Sequence, residues 1–267
     1  MSAEVGQIAE GSLGTMLAYV RAIAAAGADC FKAQCHDGDA CNKFRPGTEH
    51  LFAQDSDRHS YWVRTGYSLP QWSDISECCH DHGIEFICSP FSMEAFDKME
   101  PLVDRWKIAS SKVNDHELID ACVRTGKPVI VSSGMSTHEE MVATYRLIPR
   151  EQCTFMSCVS MYPTPPELTP RYWDVPTAID CDLAISDHSG TIWPSIVAKT
   201  VGYTMTEVHV VFSRECFGPD VTSSITTAEL RQLVDGVRFI SKMSSDCLDK
   251  DSITAELKEM REVFGVK

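Results

Sequence analysis

The sequence has no apolar run long enough to cross a bilayer, and it does not begin with the basic and then apolar segment of a secretion signal. Basic residues are also few: 24 Lys and Arg stand against 38 Asp and Glu, which gives the 267-residue chain a formal net charge of -14. A nucleic-acid-binding protein normally presents a basic face. We therefore expect a cytoplasmic protein whose main partner is neither a nucleic acid nor a membrane.

Two short sequence signatures are missing as well. The 12 cysteines include no CxxC pair, which argues against a structural zinc site, and without a secretion signal they are expected to be reduced thiols. The turn after the first predicted strand lacks GxGxxG, so a dinucleotide-binding fold has little support.

What the sequence does contain is a series of short apolar strands that alternate with longer amphipathic segments. Such an alternation predicts an α/β fold, a single-domain (β/α)8 (TIM) barrel over residues 1–245, followed by a polar helical tail over residues 246–267. An open doubly wound sheet is the main alternative. The predicted strands are Ala3–Val5, Ala28–Gln34, Glu85–Ser89, Arg105–Ile108, Pro128–Ser132, Cys153–Ser157, Leu183–Ser186 and Glu207–Val211.

Several helices have recognisable ends. Ser12 can cap a helix that continues to Ala26, and Thr137 followed by Glu140 forms a capping box. The segment 226–242 has the apolar spacing of an amphipathic helix. By contrast, the segment 35–68 contains no predicted helix, and a loop of that length in a compact domain is usually functional or disordered.

The residues at the predicted carboxyl ends of the strands are mostly polar, and in a barrel these ends form the active-site face. Two lysines and several hydroxyls around one mouth are suited to hold a phosphate and a carboxylate, and two histidines on neighbouring strands are suited to bind a divalent metal. Each residue alone has an ordinary structural explanation, so only their convergence indicates a site. The strand-end residues are Glu4, Lys32, Gln34, Ser89, Lys107, Ser110, Ser132, Ser133, Ser160, Tyr162, Ser186, Asp187, His188 and His209.

Nine blocks of this sequence, in the same order, resemble the sialic acid synthase (N-acetylneuraminate synthase) family. They are AEVGQIAEGSLG (Ala3–Gly14), AGADCFKAQ (Ala26–Gln34), GIEFICSPF (Gly83–Phe91), WKIASSK (Trp106–Lys112), GKPVIVSSGM (Gly126–Met135), SMYPTPPE (Ser160–Glu167), ISDHSG (Ile185–Gly190), EVH (Glu207–His209) and GPD (Gly218–Asp220). The resemblance implies a (β/α)8 barrel that condenses phosphoenolpyruvate with a sugar aldehyde, N-acetylmannosamine or a related N-acyl sugar. The products would be a 3-deoxy-2-keto sugar acid and phosphate.

The same resemblance implies a role for each candidate residue. The metal ligands would be His188 and His209, holding Mn²⁺, with Mg²⁺ or Co²⁺ as alternatives. That metal would polarise the aldehyde of the sugar, and Glu4 would orient the attacking water. The residues implied to be catalytic are Glu4, Lys32, Lys107 and Tyr162. Those implied to bind substrate are Gln34, Ser89, Ser110, Ser132, Ser160, Ser186 and Asp220.

The sequence also departs from the family pattern. The family's Asn-His pair after the first strand is Ile8-Ala9 here, its acidic residue after KIxS is Lys112, and its Asn before the conserved Tyr is Ser160. The C-terminal antifreeze-like domain of typical members is not expected in this chain. Because family members form dimers partly through that domain, the resemblance allows a homo-oligomer but does not require one. We therefore expect the sugar half of the site to differ more than the phosphoenolpyruvate half.

Two other functions stay open at the level of sequence. Lys107 or Lys32 would serve as the Schiff-base residue of an aldolase on the same fold, if two neighbouring lysines lower each other's pKa. The other alternative is a non-catalytic barrel that binds phosphoenolpyruvate or a sugar without turnover.

Overall fold

The strands of the chain form one closed parallel sheet. A computed structural model describes residues 1–36, 52, 54–245 and 254–266. Its strands are β1 (Ser2–Glu4), β2 (Cys30–Cys35), β3 (Glu85–Pro90), β4 (Arg105–Ile108), β5 (Val129–Ser132), β6 (Cys153–Cys158), β7 (Asp182–Asp187), β8 (Met205–Val211) and β9 (Ser224–Thr226). Strands β1 to β8 pair in chain order, β8 pairs back to β1, and β9 adds to β8. The predicted (β/α)8 barrel is confirmed.

Helices surround this sheet. They are α1 (Leu13–Ala26), α2 (Arg58–Thr65), α3 (Leu69–Asp81), α4 (Met93–Met99), α5 (His116–Arg124), α6 (His138–Tyr145), α7 (Trp193–Thr200), α8 (Thr227–Ser245) and α9 (Ala255–Val263). Ser12 caps α1 by accepting from the Thr15 N–H, and Thr137 and Glu140 form the capping box of α6, both as predicted. Helix α8 packs between α1 and α7, whereas α9 buries none of its residues.

Helix α2 lies in the segment that was predicted to lack a helix, and for residues 58–65 that prediction is wrong. Asp57 caps this helix through the Ser60 N–H, and Tyr61 and Trp62 bury their rings beside Phe52. An eight-residue helix with only one buried face gives little periodicity, so tertiary packing decides its conformation. Residues 37–51 and 53 of the same segment lie outside the described residues.

Inside the barrel, an apolar layer lies below a polar layer. The side chains of a strand alternate between its two faces, so inward positions recur every second residue. The apolar inward cluster consists of Cys30, Ile87, Ile130, Met156 and Ala184. Two residues further along the same strands come Lys32, Ser89, Ser132, Cys158 and Ser186. Along each of these strands, the apolar inward-facing residue is therefore followed directly by the inward-facing residue of the polar layer.

Candidate active site

The 13 residues predicted to form a site all lie at the carboxyl ends of the strands or in the loops that follow. Those on the strands are Glu4, Lys32, Gln34, Ser89, Lys107, Ser132, Ser186 and His209. Those in the following segments are Ser110, Ser160, Tyr162, His188 and Asp220. The parallel barrel thus brings residues from widely separated parts of the chain to one mouth.

Both lysines of this mouth are held in buried ion pairs. Lys32 Nζ lies 2.5 Å from Glu4 Oε1, and Lys107 Nζ lies 2.5 Å from Glu207 Oε1. The four side chains are between 1% and 5% exposed, so their charges are shielded from bulk water. Burial opposes the charged form of Lys32, but the Glu4 and Glu207 carboxylates outweigh it and raise its pKa. Each ammonium is therefore stabilised as a cation by its own carboxylate.

Glu4 is the centre of the polar layer. Its Oε1 accepts from Gln34 Nε2 at 2.6 Å as well as pairing with Lys32, and its Oε2 lies 3.3 Å from His209 Nε2. Burial alone would raise the pKa of Glu4, but Lys32, with smaller contributions from His209 and Lys107, holds that pKa well below its ordinary value. Glu4 is therefore a carboxylate at neutral pH and can only accept hydrogen bonds.

The two predicted metal-binding histidines lie side by side. The ring centroids of His188 and His209 are 5.3 Å apart, and the Tyr162 ring lies 4.3 Å from that of His188. His188 Nδ1 is 2.9 Å from the Val159 carbonyl, to which it donates. That bond leaves Nε2 as the ring nitrogen available to a ligand.

Asp220 approaches His209 from the loop before β9. Its Oδ2 accepts from the Gln7 N–H at 3.0 Å and lies 3.9 Å from His209 Nδ1. A Cβ at Gly6 would come within 2.4 Å of that same carboxylate oxygen, and Gly6 has a positive φ of 54°. Glycine is therefore needed here both for its backbone conformation and for the close approach of Asp220.

A divalent metal fits these residues as an open site. His209 Nδ1 is buried and has no hydrogen-bond partner among the described residues, and His188 and His209 together offer two imidazole rings, a ligand type that divalent transition metals accept. Across the ranges that the structure describes, no three His, Cys, Asp or Glu side chains are arranged as a complete ligand set. A metal bound here would thus have two imidazole ligands and keep positions for water or substrate oxygens.

A second group of polar atoms lies around Gly134. The Gly134 N–H donates to Ser110 Oγ at 3.2 Å, and a Cβ at Gly134 would lie 2.3 Å from Ser160 Oγ and 2.7 Å from Ser110 Oγ. The hydroxyls of Ser160 and Ser89 are buried and have no hydrogen-bond partner in the part of the chain that the structure describes. Buried hydroxyls left unpaired in the free protein are suited to receive the oxygens of an anionic ligand.

Cys158 lies between these hydroxyls and the histidines. Its Sγ is 3.6 Å from Ser110 Oγ and 3.8 Å from His188 Nδ1. Burial raises the pKa of the thiol, but His188 outweighs this effect and the net pKa of Cys158 is lowered. Burial also disfavours the charged form of His188, yet Cys158 and the Val159 carbonyl raise its pKa to about 9.

A cavity of about 300 Å³ opens beside Glu4, between the β1–α1 loop and helix α2. Its walls include Gln7, Gln34, His36, Trp62 and Tyr67. Amide groups and aromatic faces together are typical of small-molecule sites that need both shape and a few directed hydrogen bonds. Gln34 lies in the wall of this cavity and also donates to Glu4, so it connects the cavity wall to the polar layer.

The positions that depart from the family pattern have structural explanations. Ile8 and Ala9 are about 5% and 4% exposed and belong to the main hydrophobic core, and Ala9 also lies in the wall of the 300 Å³ cavity. Lys112 Nζ pairs with Asp115 Oδ2 at 3.1 Å at the start of α5. These contacts leave the lysine pairs and the imidazole pair intact.

Three residues of the site were missed by the sequence reasoning: Glu207, Cys158 and His36. Glu207 lies two residues before His209 and His36 two residues after Gln34, so the strand period places each on the same face as a residue that was predicted. Cys158 follows the inward Met156 by the same interval. That periodicity is the signal by which all three residues are recognisable.

Comparison with known proteins agrees with the fold and with the sequence resemblance. A model of the NeuB family matches residues 19–248. Human N-acetylneuraminate-9-phosphate synthase is 25% identical over 259 residues, covering 90% of this chain and 69% of that protein. The pseudaminic acid synthase of Campylobacter jejuni is 27% identical over 248 residues, covering 88% of this chain and 72% of that protein.

Among solved structures, N-acetylneuraminic acid (sialic acid) synthetase from Leptospira borgpetersenii, crystallised with citrate, superposes with a TM-score of 0.78. It is 22% identical, and the match covers 99% of this chain and 90% of that chain. No helix among the described residues is both long enough and apolar enough to span a membrane. The family match extends over most of the barrel and includes Lys32, Lys107, His188 and His209, and this chain therefore belongs to the NeuB family.

Proposed function

We propose that this protein condenses phosphoenolpyruvate with a sugar aldehyde, releasing phosphate and forming a 3-deoxy-2-keto sugar acid. The observation that carries the proposal is the meeting of two lysine ammonium groups, two imidazoles and unpaired buried hydroxyls at one barrel mouth. The family's named synthases of sialic and pseudaminic acids support the same reaction class.

The lysines and hydroxyls would hold the trianionic phosphoenolpyruvate. Lys32 and Lys107 offer point charges, and Ser89 and Ser160 offer directed O–H donors that have no other hydrogen-bond partner among the described residues. On binding, each ammonium group would contact both its carboxylate partner and the anionic ligand. Because this occurs away from bulk water, the resulting contacts fix the enol carbon in a defined position.

The imidazoles of His188 and His209 would hold a divalent metal, with Mn²⁺ as our first choice and Mg²⁺ or Co²⁺ as alternatives. When bound, such an ion supplies Lewis acidity to the aldehyde of the acceptor sugar. The Val159 carbonyl keeps the His188 ring in one orientation, and the Tyr162 ring packs against it. These residues would present the aldehyde carbon to the enol.

The reaction balances with one water molecule. The C3 carbon of phosphoenolpyruvate bonds to the aldehyde carbon, the aldehyde oxygen becomes a hydroxyl, and C2 becomes cationic. Water adds to C2 and gives up one proton, which balances the proton taken up by the aldehyde oxygen. The C2–O bond to phosphate then breaks with its electrons, and the remaining hydroxyl proton leaves with the phosphate, so that C2 becomes a ketone. Glu4 is a carboxylate at neutral pH and would orient that water by accepting its hydrogen bond.

The site does not favour the Schiff-base alternative. A nucleophilic lysine needs a lowered pKa so that its amine is neutral. The pKa of Lys32 is instead raised, because Glu4 and Glu207 stabilise its charged form. Lys107 is likewise held in an ion pair, with the Glu207 carboxylate 2.5 Å from its ammonium group.

A phosphate-release assay tests the proposed function. Protein would be incubated with phosphoenolpyruvate, Mn²⁺ and a panel of aldoses that includes N-acetylmannosamine, and products would be identified by mass spectrometry. We expect phosphate release that needs both an aldose and metal, and its loss in Glu4→Gln. The matched control is Glu77→Gln, which replaces an exposed carboxylate on α3 and should retain activity. Binding of phosphoenolpyruvate without release with any aldose would favour the non-catalytic alternative.

A further inference from the structure

We infer that His36 is a positioning residue that orients Gln34 and, through it, the Glu4 carboxylate; this inference rests on the proposed function for its kinetic consequence. Three side chains form a continuous series of hydrogen bonds. His36 Nε2 lies 2.9 Å from Gln34 Oε1, and Gln34 Nε2 donates to Glu4 Oε1 at 2.6 Å. The series connects the wall of the 300 Å³ cavity to the centre of the polar layer.

The ring of His36 is fixed on both faces. The Trp62 ring stacks on one face with a centroid distance of 4.3 Å and an interplanar angle of 5°. The Phe91 ring stacks with a centroid distance of 3.9 Å and an angle of 27°. Because α2 supplies Trp62 and the end of β3 leads to Phe91, two separate elements determine where Nε2 points. A ring held in this way delivers its hydrogen bond in one direction only.

The chemistry of the three groups fixes the direction of every hydrogen bond. Glu4 is a carboxylate and can only accept, so Gln34 must turn its amide nitrogen towards Glu4. The amide oxygen of Gln34 then faces His36, and an amide oxygen also only accepts. His36 must therefore carry its hydrogen on Nε2 and leave Nδ1 unprotonated.

The surroundings of His36 support this neutral tautomer. Nδ1 is buried, and the described residues offer it no acceptor that would favour a hydrogen there. Burial, followed by the charges of Arg58 and Lys32, lowers the pKa of His36 to about 3. The residue thus stays a neutral donor across the working pH range.

The functional consequence concerns Glu4. Without the His36 donor, the Gln34 amide could turn over and present its oxygen to the carboxylate, which would repel Glu4 from its position beside Lys32 and His209. Outer hydrogen-bond partners of this kind typically change activity by about 10- to 100-fold when removed. The loss should be larger in kcat than in the KM for phosphoenolpyruvate, because Lys107 and the hydroxyls that would hold this substrate do not touch His36, and Lys32 is affected only through its ion pair with Glu4.

Two substitutions at His36 separate the hydrogen bond from ring packing. His36→Phe keeps a ring between Trp62 and Phe91 but has no donor, whereas His36→Gln keeps an amide donor near the place of Nε2 but has no ring. We expect His36→Phe to lower kcat by about 10-fold or more with a smaller change in the KM for phosphoenolpyruvate, and His36→Gln to retain most of the activity. The opposite ranking would show that the residue acts only by packing and would overturn the inference.

A measurement that needs no turnover keeps this inference distinct from the proposed function. In protein with ¹⁵N-labelled histidine, long-range ¹H–¹⁵N correlations report which ring nitrogen is protonated, and the signal lost in His36→Phe identifies His36. We expect the Nε2–H tautomer near pH 7. An Nδ1–H or doubly protonated ring would overturn the positioning role even in an active enzyme. Conversely, the Nε2–H tautomer in a protein that releases no phosphate would overturn only the proposed function.

Discussion

Replacing Lys107 by Met should destabilise the folded protein strongly, because it leaves the Glu207 carboxylate charged and buried. The two side chains are 2% and 1% exposed and their charged atoms are 2.5 Å apart. At an effective dielectric constant of about 20, unit charges at that distance attract by about 7 kcal/mol before desolvation is counted. Removing one partner of such a buried pair typically costs about 3–5 kcal/mol.

That cost should lower the melting temperature by about 10 °C, given about 2–4 °C per kcal/mol for a domain of this size. The further change Glu207→Gln should recover most of the loss, since it removes the unpaired charge while keeping an oxygen for the Ser186 hydroxyl that donates to Oε1 at 3.0 Å. Scanning calorimetry or fluorimetry of the parent, both single variants and the double variant forms a complete cycle.

The same variants should differ in how stability depends on pH. Burial raises the pKa of Glu207, but Lys107 and Lys32 outweigh it and lower that pKa, so in the parent the pair's stabilisation is complete at neutral pH and is lost as the pH falls through the folded-state pKa. In Lys107→Met, desolvation raises the pKa of Glu207, and the deficit should shrink as the pH is lowered from about 8 to about 5. A Lys107→Met protein that melts within about 2 °C of the parent, or a double variant no more stable than Lys107→Met, would refute this reasoning.

Three further predictions concern the site and its support. Gly134→Ala should weaken phosphoenolpyruvate binding by about tenfold or more, since an added Cβ would lie 2.3 Å from a serine hydroxyl; calorimetric titration measures this, and Gly14→Ala, where nothing lies within 4 Å, should bind normally. His188→Ala should lose Mn²⁺ binding, seen by electron paramagnetic resonance, together with turnover, while melting close to the parent; unchanged Mn²⁺ binding would remove its assignment as a ligand. Tyr61→Phe should lower the free energy of unfolding by about 1–2 kcal/mol, because the buried hydroxyl donates to Glu10 at 2.9 Å. A denaturation midpoint equal to the parent's would contradict that estimate.

The sequence was sufficient to predict the barrel because its signals are local. Each strand is a short apolar run, and the structure places the ends of β4, from Arg105 to Ile108, where they were predicted. The candidate residues could also be placed at one mouth, since parallel strands in a barrel all end on the same side. The barrel topology alone therefore places Lys32 and His209 at the same end of the molecule, and no contact between residues had to be predicted.

What could not be predicted depends on contacts between distant parts of the chain. The partner of Lys107 is Glu207, 100 residues away, and neither local propensity nor apolar periodicity records such a pair. The sandwich around His36 likewise needs Trp62 from α2, a helix stabilised by tertiary packing. The roles of these residues in catalysis, the metal, cytoplasmic location and homo-oligomerisation stay predictions.

The two layers inside the barrel have a consequence for how this protein tolerates change. Ile87 and Ser89 are successive inward residues of one strand, and Phe86 and Cys88 face the helices. Deleting a single residue within β3 would shift the register by one, turning the Ser89 hydroxyl towards the helical shell and Cys88 towards the mouth. Substitutions in the loops can therefore change the site gradually, whereas an insertion or deletion in a strand would exchange its inward-facing and outward-facing residues at once.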